Sequence, residues 1–293
     1  MRKTLFMAAI TAAFSLPAVV MAQATPAAAE ASPHTFTGNV ALVTDYRFRG
    51  ISQTYGLPAI QGGADYAHAS GVYLGTWGSN VYSTAGNGIG TSYTNGASLE
   101  WDIYGGYKFE AAKDLTLDVG ALYYYYPGAS WNVAGRDKFD NLELYVAATY
   151  KWFSAKYSQS LTDYFGANTS TLGGACGIQT DGKTATTNCF GAAPGSSKGS
   201  SYLDLNANFE IADKLTLGLH AGQASVKNYG LLDYTDYKIS LSKEYKGVNY
   251  GIAAIATNAN SDIYRTTTGT PAAPTGTYDT SKSTLVLSVS KTF

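Results

Sequence analysis

Apolar and polar residues alternate strictly along a series of segments of about ten residues, the length a tilted strand needs to cross a bilayer. Within 140–152, Leu142, Leu144, Val146, Ala148, Tyr150 and Trp152 fall on one face, and Asn141, Glu143, Thr149 and Lys151 fall on the other. Within 201–210, Leu203, Leu205, Ala207 and Phe209 oppose Asp204, Asn206, Asn208 and Glu210. The same period recurs in 99–109, 115–125, 215–221 and 285–293. A period of two marks a strand with one apolar and one polar face. Followed along the chain it predicts strands near 37–49, 58–67, 72–82, 98–109, 115–126, 140–151, 153–162, 201–210, 214–225, 234–245, 248–258 and 283–293, twelve in all.

The predicted connections alternate between short ones (69–71, 110–114, the 152–153 junction, 211–214, 245–247) and longer ones, the longest running from about 162 to 200. Short periplasmic turns and longer extracellular loops are the asymmetry of an outer-membrane barrel, which puts both termini on the periplasmic side. Aromatic residues cluster where this assignment places the bilayer edges. Tyr46, Phe48, Tyr123, Tyr125 and Tyr237 fall toward the outer end, and Tyr107, Phe109, Tyr150, Trp152, Phe209, Tyr245 and Tyr250 toward the periplasmic end, giving two girdles. The chain finishes at Phe293 with Leu285, Leu287 and Val289 behind it in alternation, which resembles the C-terminal signal read by the bacterial barrel-assembly machinery. Lys291 departs from that pattern, and at an interface its long stem can snorkel.

The first residues predict a secretory signal. Arg2 and Lys3 give a positive start, 5–20 an apolar run, and Ala22, Gln23 and Ala24 a small-x-small cleavage site. The expected division is a signal over 1–24, a disordered periplasmic tail over 25–35 and an outer-membrane β-barrel over 36–293, reached by Sec-type export in a Gram-negative cell. Beyond the signal no apolar run reaches 18 residues, which excludes a helical membrane protein, so a chain that spans a membrane must close its strands. Composition agrees. Charged residues are 14 % of the chain, below the roughly 25 % of soluble domains, while Gly (32) and Tyr (24) are abundant. A net charge of −1 leaves no electrostatic footprint for nucleic acid. Cys176 and Cys189 lie in a Gly/Thr/Ser-rich stretch and are expected to pair in an oxidising compartment; their spacing suits neither a redox nor a metal pair.

Three blocks carry a family resemblance: NVALVTDYRFRGISQT (39–54), PAIQGGADYAHASGVYLGTWGSNV (58–81) and LEWDIYGGYKF (99–109). They resemble the TorF family of proteobacterial outer-membrane porins over the first four predicted strands, while the later strands match mainly in pattern. The resemblance implies an outer-membrane location and a transport role, and supplies no substrate.

Among candidate functional residues, Arg47 and Arg49 share a face with Asp45, and parity turns that face away from Tyr46 and Phe48 and into the lumen. Two readings stay open. The arginines line the pore and attract anions, or they brace the wall through salt bridges to lumen carboxylates such as Glu100 and Asp102 on the fourth strand. Glu143, Asp204 and His220 also fall on polar faces and are expected to line the pore. Tyr124 and Tyr126 point inward, as a stacking surface near the mouth or as plain anchoring, while Gly86 to Gly90 is expected to be a loop rather than a phosphate cradle. No serine nucleophile accompanies His220, so no enzymatic activity is expected, and no cofactor or metal signature is present.

The expected function is passive diffusion of small hydrophilic solutes or ions through a narrow polar lumen, with outer-membrane lipid and the barrel-assembly machinery as partners. The competing reading is a closed structural or adhesive barrel that binds surface partners through its loops, with large inward side chains as the plug.

Overall fold

The computed structural model describes residues 32–82, 93–131, 137–173, 190–270 and 273–293. Twelve antiparallel strands form a closed barrel: β1 (His34–Val43), β2 (Ala59–His68), β3 (Val72–Asn80), β4 (Leu99–Ala112), β5 (Leu115–Tyr125), β6 (Asn141–Tyr150), β7 (Phe153–Ser160), β8 (Ser201–Ala212), β9 (Leu215–Ser225), β10 (Tyr234–Tyr245), β11 (Val248–Thr257) and β12 (Thr284–Thr292). Each strand pairs with its neighbours in the chain, and β1 pairs with β12 from Asn39↔Thr292 to Val43↔Ser288. Closure leaves no open edge, so every strand finds its ladder partners within the sheet.

The alternation decides which way each strand faces. Register pairs such as Tyr107↔Val119 and Val119↔Val146 stand on the outside, and Leu42, Val146, Ile239 and Leu285 are 57, 56, 53 and 65 % exposed. A water-soluble domain would bury such residues. Here they make one apolar wall around the molecule, the surface of an outer-membrane β-barrel in lipid. Five short turns (69–71, 113–114, 151–152, 213–214 and 246–247) lie at the end that carries both termini. At 246–247 both residues have positive φ (51° and 75°) between the register pair Tyr245↔Val248, the two-residue geometry whose twist matches the strands.

Strand limits agree with the alternation to within three residues except at the end of the first strand, which was expected to run to Arg49 and stops at Val43. The chain then turns inward, and 44–58 fold into the loop-side half of the lumen. A small hairpin forms there, pairing Arg47–Phe48 with Ile51–Ser52. Its turn is Arg49-Gly50, with φ of 48° and 79°. Asp45 draws the returning arm in, accepting hydrogen bonds from Ser52 Oγ (2.5 Å), Thr54 Oγ1 (3.1 Å) and the Gly56 amide (3.2 Å). Tyr46 and Phe48 therefore do not join the outer girdle: Tyr46 is 2 % exposed against Trp77, and Phe48 packs on Tyr124 and Phe165. The hairpin is itself extended, so its side chains keep the alternation of β1 after the chain has left the wall.

His34, expected in the tail, opens β1 opposite His68. Above the hairpin, Trp131, Leu172, Val226, Tyr229, Leu232 and Ile263 bury one another in an apolar cluster at the loop end. The expected signal and residues 25–31 of the tail, the Gly86 to Gly90 stretch, and Cys176 and Cys189 lie outside the described residues.

Candidate functional site

The lumen has two layers, separated by depth. The loop-side layer is where the hairpin seats, and its wall supplies Glu100 and Asp102 from β4, Tyr124 from β5 and Asn141 and Glu143 from β6, all buried, while the buried Tyr202 from β8 and Asp236 from β10 stand where the two layers meet. The Tyr46 and Tyr126 hydroxyls donate to the two oxygens of Glu100, at 2.7 and 2.9 Å. Burial, and after it the charge of Glu100, raises both phenols well above their ordinary range, so both remain donors. Arg49 Nη2 bonds Glu143 Oε2 at 2.7 Å, and its guanidinium lies 4.2 Å above the Tyr202 ring and 4.8 Å from Phe48. Burial is the largest influence on Arg49 and opposes its charge; Glu143, Tyr124 and Tyr164 beside it together outweigh burial and raise the guanidinium above its ordinary range.

Arg47 bonds Asp45 Oδ2 through Nε (2.5 Å), and its Nη1 donates to the carbonyls of Gly50, Thr280 and Lys282 (3.1, 3.0 and 3.0 Å). Glycine is required at the tip. Besides the positive φ, a Cβ at Gly50 would stand 2.6 Å from Asp236 Cβ. The two arginines thus brace the hairpin, but through Asp45 and Glu143 instead of the expected Glu100 and Asp102. The reason is the inward turn, which carries both guanidinium groups off the β1 wall position from which β4 was to be reached.

Asp102 is left with both oxygens buried and without a hydrogen-bond partner among the described residues, in the same layer as Glu100 and Glu143. A buried carboxylate in that setting opposes folding. Asp102→Asn keeps the shape and removes the charge, and is expected to stabilise the barrel by about 1–3 kcal/mol. Urea unfolding of the vesicle-inserted protein reads this, and an equal or lower midpoint would contradict it.

The turn-side layer divides into two walls. On one, the Tyr104 hydroxyl donates to Asp65 (2.6 Å), the Tyr73 hydroxyl to Asp118 (2.7 Å), and Lys108 pairs with Asp118 at 3.6 Å. The Tyr73 and Tyr145 hydroxyls also bond each other. On the other wall His220 stands between two carboxylates, with Nδ1 3.1 Å from Asp204 Oδ1 and Nε2 2.8 Å from Asp236 Oδ2. The Tyr202 hydroxyl donates to Asp236 (2.8 Å) and Asn206 Nδ2 to Asp204 (2.6 Å). Tyr202 lies so close over Gly222 that a Cβ there would be 1.9 Å from its hydroxyl oxygen. Lys156 Nζ sits 4.7 Å above the Tyr145 ring. Between this wall and the hairpin is a cavity of about 50 Å³, lined by Arg47, Arg49, Gly50, Lys156, Tyr202, Asp204, His220, Asp236, Lys238 and Ile255.

The structure thus gathers Arg47, Arg49, Asp204 and His220 around one cavity and puts Glu100, Asp102 and Glu143 in the layer that seats the hairpin. Sequence reasoning passed over Lys156, Lys238 and Asp236. Parity alone marks all three as inward, since each alternates with outward residues such as Tyr157 and Tyr237. On the outside, Tyr107 and Phe109 stack at 5.5 Å, and Trp152 packs on Phe209 at 4.8 Å, with Tyr150 and Phe293 exposed at the same turn end. Tyr123 and Tyr125 stack at 6.2 Å toward the loop end. Tyr124 and Tyr126 offer no open stacking surface, because both are buried against Phe165. The hydrogen-bond partners of His220 are Tyr202, Asp204, Asn206 and Asp236. No group of three or more His, Cys, Asp or Glu able to hold a metal ion occurs among the described residues.

Among solved structures, the chain is similar to a KdgM porin (7 % identity, TM-score 0.46, covering 88 % of this chain and 99 % of that one). It is also similar to a NanC porin (9 %, 0.47, 88 % and 99 %) and to OprD of Pseudomonas aeruginosa (13 %, 0.37, 90 % and 68 %). No curated protein matches the chain. Residues 27–293 match the model of a family described as a bacterial protein of unknown function, Gcw_chp, and the chain belongs to that family.

Proposed function

We propose that the chain is a narrow outer-membrane porin, through which small hydrophilic solutes or ions diffuse passively past a constriction made by 44–58. One observation carries the reading: the hairpin that narrows the lumen is held by polar and charged contacts to the barrel rather than by an apolar core alone. A wall of this kind replaces part of a solute's hydration, while width and charge select. The TorF resemblance at 39–54, 58–81 and 99–109 supports the same role. In this reading residues 1–24 direct Sec-type export and are removed, 25–35 are a periplasmic tail, and Phe293 with its alternating partners is the signal for the barrel-assembly machinery.

A second reading, a closed structural or adhesive barrel, is favoured by the near-complete burial of Asp45, Tyr46 and Thr54 in the lumen. Single-channel recording from the folded barrel in planar bilayers separates the two. Small, discrete and reproducible steps are expected; silence from protein shown to be folded by its heat-modifiable gel mobility would transfer the argument to the closed barrel.

A further inference from the structure

The cavity between the hairpin and the basic wall holds more donors than acceptors. Arg47 lines it with its side chain almost wholly buried, yet Nη2 has no hydrogen-bond partner among the described residues although Nε and Nη1 are fully engaged. A buried donor on a charged group is costly to leave unmade, so an orphan there points to an acceptor that the described residues do not provide. Arg49, Lys156 and Lys238 line the same space. The two carboxylates on its wall, Asp204 and Asp236, both face His220, and a ring with a carboxylate at each nitrogen satisfies both only by donating twice. Both oxygens of Asp236 and Oδ1 of Asp204 therefore already have donors. A volume of about 50 Å³ exceeds the roughly 10–15 Å³ that one water needs and suits one compact group.

We propose that this cavity is an oxyanion site, which takes one carboxylate- or phosphate-type group between Arg47 of the hairpin and Lys156 and Lys238 of the wall. Nη2 of the guanidinium presents its N–H donors to such a group, and the lysines add compact charge. A bound oxyanion ties the hairpin to the barrel wall. A small acidic solute in transit meets this site, so the site favours that substrate class; this consequence rests on the porin reading, whereas the binding does not.

The test is titration of the folded full barrel in detergent with inorganic phosphate, followed by phosphorus NMR line width against potassium chloride of equal ionic strength. Saturable binding is expected, weakened about tenfold or more, equal to 1.4 kcal/mol or more, in K156Q/K238Q. It should be unchanged in K108Q, which alters an inward lysine that does not line the cavity. Where K156Q/K238Q fails to fold, K156Q alone is compared with wild type. Absence of saturable binding in wild type, or equal binding in the lysine variants, overturns the site. Bilayer recordings of the same preparation separate it from the porin reading: phosphate binding with silent bilayers keeps the site and removes the conduit, and conducting channels without phosphate binding do the reverse.

Discussion

Arg49→Ala is expected to lower the unfolding free energy of the folded barrel by about 3–5 kcal/mol, the cost of leaving a buried carboxylate without its cation. The side chains of Arg49 and Glu143 are 6 and 3 % exposed and meet at 2.7 Å, so solvent screens the intact pair little. Glu143 would keep only the Asn141 amide at 3.2 Å on its other oxygen. Urea unfolding in lipid vesicles, followed by tryptophan fluorescence, reads the loss. Adding Glu143→Gln to Arg49→Ala should recover most of it, because no charge is then left behind. Arg49→Lys should fall between wild type and alanine: it keeps the charge and loses the planar stacking on Tyr202 and Phe48. If the double variant is as unstable as Arg49→Ala, the ion pair is not what secures the hairpin.

The wall of the barrel was legible from alternation because lipid outside and a polar lumen inside impose opposite demands on neighbouring residues. Strand β10 shows this: Tyr237, Ile239 and Leu241 face outward while Asp236, Lys238 and Ser240 face inward, and the limits expected for it are the limits observed. Turns were legible too, since a two-residue connection such as Lys246-Gly247 leaves the chain little choice. What alternation cannot register is depth. Asp45, Arg47 and Arg49 were expected on the wall of the barrel, and the structure puts them on a hairpin inside it. The cue at that point was Arg49-Gly50, a dipeptide followed by the same extended pattern, which reads equally well as a strand end and as an inserted turn. The partners of the arginines were illegible for the same reason, because pairing across a lumen depends on where the hairpin comes to rest. Lys156 and Lys238 were within reach of parity, and only their convergence on Arg47 needed the structure.

Replacing residues 46–53 with a short Gly/Ser segment is expected to raise single-channel conductance about two- to threefold and to shift selectivity toward cations. Barrels of about eight strands are filled by their own side chains, while wider ones leave an interior space. With twelve strands the loop-side space of this barrel is occupied by the hairpin: Tyr46 bonds Glu100, Arg49 bonds Glu143, and Arg47 with the Ser52 amide holds the carbonyls of Thr280 and Lys282. Without those residues the space opens to water, which lowers the barrier for any hydrated ion. The sign of the selectivity follows from what remains, since the replacement removes Arg47 and Arg49 and leaves Asp45, Glu100, Asp102 and Glu143 around the opening, and carboxylates lining a pore favour cations. Reversal potentials in a potassium chloride gradient read the shift, and heat-modifiable gel mobility confirms that the variant is folded. Larger conductance without a change of selectivity would place the limiting charges in the turn-side layer, among Asp65, Asp118, Lys156 and Lys238. Unchanged conductance would move the constriction away from the hairpin altogether, because no ion path through the loop-side layer could then have depended on it.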